Sequence, residues 1–403
     1  MSVYGDHQWP KTIYNEANDM ILVSELAYIF GQLMNVSRNM KEKGEPFVGL
    51  DVDDDEKIAR SGVEDSDLKR SFTPGEIIKL IEDNYEVISK EIKDSDLQDN
   101  ITWLKEIQAR VDVSKMERPL TLAEFDDQHQ KEECVYGITR DSVEKRITLV
   151  MRGTSNQLAM ASNWKHNFQC LSKDIQIPDS LKGKLDIDQF EFHTGFYDYL
   201  FMEAKGKGTT KYAEMLKDVK SILAIYPDHK LYVTGHSLGG ALSTLAAFFF
   251  ACETDIPKPV SCVSFAAPRV GKGNFLKAIC CLEKTANIRM LRVNNDNDSV
   301  PTSFPGYQHV GFQVILYKKG WFGGVDDPDI AYAGNEDEDW FSRAVRGWNN
   351  GMISNINFNG YEHGGATYME RIELGKDSLQ KHSLNDLYFD EKIVGYKIQK
   401  ELI

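Results

Sequence analysis

Positive charge is in deficit in this sequence. Its 47 lysines and arginines stand against 62 aspartates and glutamates, giving a formal net charge of −15 at pH 7. That balance argues against nucleic acid as a partner and against electrostatic docking on an anionic membrane, while leaving neutral surfaces open. Cysteine is sparse. Cys134, Cys170, Cys252, Cys262, Cys280 and Cys281 fall in no metal-ligand spacing, and Cys252 and Cys262 lie in apolar runs, so reduced buried thiols are expected and no metal site. Long hydrophobic runs are missing too. The longest, 241–252, is interrupted by Ser243 and Thr244 and is too short for a bilayer, so no transmembrane segment is expected. Residues 1–18 carry no basic region followed by an apolar block, which gives a cytoplasmic location as the expectation. The acidic cluster 51–56 has neither the glycine nor the closing glutamate of a calcium loop, and reads as a solvated loop. No repeat or low-complexity tract stands out.

What is present is enough for a large core: 403 residues, 41% of them hydrophobic. The first quarter reads as helical. Met20, Ile21, Val23, Leu26, Ile29, Phe30 and Leu33 form an apolar stripe over 18–40. Thr73-Pro74-Gly75-Glu76 is a capping signature that opens a helix running to about 92, and a third helix is expected over 101–111. Near Cys134 the texture changes. Residues 134–140 and 146–151 read as a hairpin, after which strands (230–234, 260–265, 288–293, 309–317) alternate with helices (212–225, after 237, 274–283). Such alternation predicts an α/β fold, a mostly parallel central sheet with helices on both faces. The expected organisation is a helical N-terminal region, 1–125, followed by an α/β domain, 126–403.

The densest signal is Gly235-His236-Ser237-Leu238-Gly239, a G-x-S-x-G elbow between the run Leu231-Tyr232-Val233-Thr234 and an alanine- and leucine-rich helix. A nucleophile at such a turn takes an unfavourable backbone conformation, and the crowding of strand and helix leaves no room for side chains two positions either side. A serine is a poor nucleophile at neutral pH without an imidazole base and a carboxylate to orient it. In the hydrolase order both follow the serine. Asp296 and Asp298, just past the strand 288–293, lie where the active edge of a sheet is expected, and either one serves. Three histidines come later. His309 begins a strand too soon after the acid, His363 lies in a glycine-rich segment, and His382 precedes a final helix, so spacing favours His382.

Taken together, the motifs resemble a known family. Val150-Met151-Arg152-Gly153-Thr154, Asn163-Trp164, His193-Thr194-Gly195-Phe196 and the elbow with its second glycine, Gly240, come in the order seen in the class 3 (fungal and plant-like) lipases of the α/β-hydrolase superfamily. So do the later segments 265–271, Arg292-Val293, Asp298-Ser299-Val300-Pro301 and 307–311, while His382-Ser383-Leu384 resembles the histidine motif of the plant-like members. The resemblance implies an α/β-hydrolase fold with Ser237 as nucleophile, Asp298 as acid and His382 as base, His309 falling on a non-catalytic position. It further implies an oxyanion hole from the backbone N–H groups of Thr154 and Leu238, and a lid within 155–162 whose apolar face carries Leu158 and Met160. Two departures stand out. The stretch 318–376, with Trp321, Phe322, Trp340, Phe341, Trp348 and Tyr361, reads as an insertion between acid and histidine whose aromatics form a small core of its own, the alternative being a lipid-interface anchor or acyl groove, and 1–125 matches no motif. The function so implied is a serine carboxylester hydrolase (lipase) cleaving acyl esters of glycerolipids at a lipid interface, needing no metal or organic cofactor. A phospholipase A1 or galactolipase is the alternative within enzymes, and a non-catalytic scaffold of the same fold the alternative outside them.

Overall fold

Strands that are apolar on both faces need cover on both faces, and the segments 230–236, 260–265 and 288–295 are buried along almost their whole length. The computed structural model describes residues 11–388 apart from 46, 53–57, 60–69, 111–119, 128–132, 154–171, 204–205, 207, 305, 320–325 and 334–359. Its strands are β1 Leu120–Asp126, β2 Tyr136–Asp141, β3 Arg146–Met151, β4 Ser172–Gln176, β5 Gln189–His193, β6 Lys230–His236, β7 Val260–Phe265, β8 Ile288–Asn295, β9 Phe312–Leu316 and β10 Asp329–Tyr332. The helices used below are α1 Ile13–Lys43, α2 Pro74–Asp83, α3 Tyr85–Glu91, α4 Asp94–Arg110, α5 Thr194–Phe201, α6 Lys211–Ile225, α7 Leu238–Cys252, α8 Gly273–Lys284, α9 Gly360–His363, α10 Gly365–Leu374, α11 Lys376–Leu379 and α12 Leu384–Leu387.

Eight strands form one sheet in the order β10-β9-β8-β7-β6-β3-β2-β1. From β3 to β9 the pairings are parallel, whereas the β1-β2-β3 edge and β10 are antiparallel. The α/β class with a mostly parallel central sheet, read from the alternation, is the class found. β4 and β5 make a separate ribbon. The described cysteines, Cys134, Cys252, Cys262, Cys280 and Cys281, are free thiols.

Successive residues of a strand face opposite sides of a sheet, and β6 sorts its neighbours accordingly. Thr234 meets Ser24 of α1, hydroxyl to hydroxyl, at 3.3 Å. Gly235 turns to the other face, where a methyl group in place of its hydrogen would lie 2.5 Å from the Gly239 carbonyl carbon at the start of α7. α1 and α7 therefore cover opposite faces of the central strand.

The helix expected over 18–40 runs a turn further at its N-terminal end, from Thr12, whose hydroxyl accepts from Asn15 N–H, and stops at Gly44 in the left-handed conformation at φ 71°. It is buried almost all round, not along one stripe, because the sheet, α4 and α10 all pack on it. By length and composition α1 alone among the described helices is long and apolar enough to cross a bilayer, which the sequence reading did not register; here 83% of its most apolar window is buried within the protein. α1 is thus tied into the sheet, and the last residues of 1–125, from Leu120, already form the edge strand β1. Thr73 and Glu76 make the expected reciprocal cap. That helix divides into α2 and α3 at Asn84, whose side chain bonds Val48 N–H and the carbonyls of Val48 and Leu80.

A buried ion pair pins α1 to the strands. Arg289 of β8 donates to Glu16 at 3.0 Å and to the hydroxyls of Tyr232 and Ser261 at 3.3 and 3.2 Å, with both charged side chains 1% exposed or less. Removing one member of such a pair leaves the other charged, desolvated and short of a partner. Glu16→Ala is expected to cost about 3–5 kcal/mol of unfolding free energy, read from urea titrations; a loss below about 1 kcal/mol would place the anchorage of α1 in its apolar contacts alone.

Candidate active site

The parallel strands β3, β6, β7 and β8 bring their carboxyl ends to one edge of the sheet, and the site is built there. β6 ends at His236 and α7 begins at Leu238, leaving Ser237 alone to make the turn at φ 60°, ψ −126°. That conformation is unfavourable for a residue with a Cβ. It is held by Ser237 N–H bonding the Phe265 carbonyl at 2.9 Å and by close packing beneath, where any side chain at Gly239 would collide with the Met151 carbonyl. Leu238 opens the fifteen-residue α7, so its backbone N–H belongs to the helix's first turn, where the dipole is positive.

Asp298 sits in the turn after β8 with its side chain 1% exposed. One oxygen, Oδ1, accepts Val300 N–H at 2.9 Å. The other, Oδ2, accepts the Tyr368 hydroxyl at 2.8 Å and faces His363 Nδ1 at 2.8 Å. A carboxylate only accepts, so Nδ1 carries the imidazole proton. Nε2, 2.9 Å from Ser237 Oγ, is then the free base aimed at the serine hydroxyl. The Ser237–His363–Asp298 chain is thus in the geometry in which an imidazole takes a serine proton and a carboxylate keeps the ring in register.

The histidine in that place is His363, and the choice of His382 is corrected. The spacing reasoning supposed that the loop before the last helix swings over the active edge. Instead the His382 carbonyl accepts Ile13 N–H at 2.8 Å, at the N-terminal end of α1. That end of α1 lies by Glu16 and Arg289, where β8 begins, so His382 belongs to the opposite edge of the sheet. His363 lies within 318–376, which had been read as an insertion. Trp321, Phe322, Trp340, Phe341 and Trp348 of that stretch are outside the described residues, as are Thr154, Leu158 and Met160. Of the other candidates, Asp296 bonds through its backbone to Leu316, and His309 faces the Pro301 carbonyl through Nε2 at 2.8 Å, bracing the turn behind Asp298.

Sequence reasoning missed what holds His363. Asn295 donates its side-chain amide to the Glu362 carbonyl at 2.9 Å, and His236 Nε2 meets the His363 carbonyl at 2.7 Å. Burial, then the neighbouring His363, push the His236 pKa down to about 3, so this ring stays neutral. Tyr368 accepts Asn295 N–H at 3.1 Å while donating to Asp298, fixing α10 to the acid. The visible signal was His363-Gly364-Gly365. Gly365 lies against the Glu25 carboxyl of α1, where any side chain would overlap it.

Two expectations follow. His363→Ala should lower ester turnover by about 10³-fold or more, and His382→Ala by less than about twofold, in assays of the purified variants; the reverse order would restore His382. The second concerns Glu25, whose carboxyl burial pushes up to about 8 from an ordinary 4.5. Between those values the folded protein keeps a proton that the unfolded chain has released, so this residue makes stability fall as pH rises from about 4.5 to about 8. Glu25→Gln should flatten that slope and be relatively more stable at pH 8 than at pH 5; parallel stability–pH curves for the two proteins would refute it.

Residues 148–308 match the family model described as Lipase (class 3). Phospholipase A1-IIgamma of Arabidopsis thaliana is 37% identical over 138 residues, covering 31% of this chain and 32% of that protein. Phospholipase A1-II 3 of Oryza sativa subsp. japonica is 33% identical over 114 residues, 26% of either chain. The chain thus spans about a third or less of the length of these curated relatives. Among solved structures, a lipase from Rhizopus microsporus var. chinensis is 24% identical, with 53% of this chain and 66% of that one covered at a TM-score of 0.38. The Lip2 lipase of Yarrowia lipolytica is 21% identical, with 54% and 73% covered at 0.43. The family match ends before His363. The matched stretch, 148–308, holds the elbow and the Asp298 turn, and there the chain is similar to the class 3 lipases.

Proposed function

We propose that the chain is a serine carboxylester hydrolase that cleaves acyl esters of glycerolipids, with Ser237, His363 and Asp298 as its catalytic residues. The observation that carries this reading is the unbroken run of contacts, Ser237 Oγ to His363 Nε2 at 2.9 Å and His363 Nδ1 to Asp298 at 2.8 Å, at a strained strand-to-helix turn. Ser237 Oγ attacks the ester carbonyl as His363 Nε2 takes its proton. The Leu238 N–H, in the first turn of α7, stabilises the oxyanion, with Thr154 N–H as its proposed partner. Collapse of the tetrahedral adduct expels the alcohol, which takes the proton from His363. Water, activated by the same imidazole, then releases the fatty acid and restores Ser237. Asp298 holds the ring in register and stabilises the imidazolium.

The names of the plant relatives favour phospholipids as the esters cleaved. The net charge of −15 adds a constraint, since an acidic protein is repelled by anionic head groups. Purified protein should hydrolyse zwitterionic phosphatidylcholine vesicles faster than vesicles rich in phosphatidylglycerol, the gap narrowing as salt rises. A fluorophosphonate probe should label the wild type at Ser237 and leave Ser237→Ala unlabelled, with turnover lost by about 10³-fold or more. An unlabelled wild type would favour the scaffold reading, and triacylglycerol or galactolipid hydrolysis without phospholipid hydrolysis would move the substrate class.

A further inference from the structure

Tyr28 lies on α1, more than a hundred residues before the stretch that matches the lipase family. Its hydroxyl nevertheless reaches the centre of the site. It accepts the backbone N–H of Gly153 and stands 3.4 Å from His236 Nδ1. Gly153 itself is pressed between that hydroxyl and the elbow, so that a Cβ there would overlap Tyr28 and come within 3.4 Å of Ser237 Cβ.

The direction of every proton in this cluster can be assigned. The His363 carbonyl only accepts, so His236 Nε2, 2.7 Å away, must be the protonated nitrogen. His236 is neutral and has one ring proton, so Nδ1 is the acceptor and Tyr28 O–H its donor. The Tyr28 oxygen keeps its lone pairs for Gly153 N–H. The resulting relay runs Gly153 N–H to Tyr28 O–H to His236 Nδ1, and from His236 Nε2–H to the carbonyl of His363. One end is the chain leading into the proposed oxyanion turn, and the other is the peptide of the proposed base.

We propose that Tyr28 is a positioning residue that locks the Gly153 turn and the His363 peptide into one geometry, through His236, and thereby sets the attack distance at Ser237. The inference rests on the hydrolase reading above. Tyr28 touches neither Ser237 Oγ nor the imidazole of His363, and it acts by fixing the His236 tautomer and the place of Gly153. The helix register makes this possible. Tyr232, Thr234 and His236 share one face of β6, and α1 presents Glu16 (by way of Arg289), Ser24 and Tyr28 to them in turn.

The test is a double-mutant cycle with Tyr28→Phe and His236→Ala. Its readouts are the second-order rate of fluorophosphonate labelling at Ser237, kcat and KM on a soluble short-chain ester, and the thermal midpoint. Rates are normalised to the concentration of labelled sites, so a fraction of misfolded protein does not enter them. Tyr28→Phe keeps the ring and loses only the hydroxyl. It is expected to slow labelling and kcat by about tenfold, the scale of one net hydrogen bond, with KM and thermal midpoint little changed. The loss in the double variant should be smaller than the product of the two single losses by at least about threefold. Should His236→Ala not fold, the kcat-against-KM split of Tyr28→Phe decides by itself. Labelled wild type with unchanged Tyr28→Phe rates, or strictly multiplicative losses, would overturn the relay and leave the hydrolase reading standing. Failure of the wild type to label would remove that reading instead.

Discussion

The site depends on how closely β3, β6 and α7 approach one another at the elbow. Gly239 lies against the Met151 carbonyl, Gly235 against the first turn of α7, and Gly240 2.9 Å, measured from a would-be Cβ, from the Phe265 carbonyl. Backbone in contact with backbone leaves one way out of the strand, through a serine at positive φ. The strain is local, and the surrounding sheet over-determines it. Because Gly153 lies only two residues past the end of β3, the same packing sets the chain that passes beside the serine.

The elbow and the alternating strands were legible because their signals are local. Glycines at fixed offsets, β-branched runs and a breaker-free helix each report on a few consecutive residues, and the strands lie within a few residues of where the periodicity puts them. Asp298 was legible as one of two carboxylates past β8, and choosing it took the family pattern. The base was not legible. Reach along the chain says where a loop is able to go, whereas His363 is where it is because Tyr368, Asn295 and His236 hold the peptide around it, at sequence separations of 67 to 127 residues for the last two. Nor was α1 read as core. Its stripe was plain, but a stripe marks one buried face only, and the polar positions Glu16, Ser24 and Glu25 are buried as well.

Those buried polar positions give α1 its register. An apolar helix on an apolar sheet slides or rotates with little penalty, since burial is non-directional. Glu16 with Arg289, and Ser24 with Thr234, allow one alignment only, because a shift of one turn would leave buried groups without partners. The same alignment sets Glu25 against Gly365 and Tyr28 against Gly153. Specificity of docking and support of the site are therefore two consequences of one set of contacts.

The position of α1 in the chain also has a bearing on synthesis. Tyr28 and its partner His236 are 208 residues apart, and Glu16 and Arg289 are 273 apart. On a ribosome moving at ~5–20 residues per second, α1 waits roughly 10–40 s for β6 to be made. Throughout that interval an apolar 31-residue helix has no sheet to cover it. The nascent chain therefore carries this apolar surface unburied by β6 for that interval. Glu16 and Glu25, costly in the finished core, add to Asp19, Arg38, Lys41, Glu42 and Lys43 as the charged positions of the waiting helix.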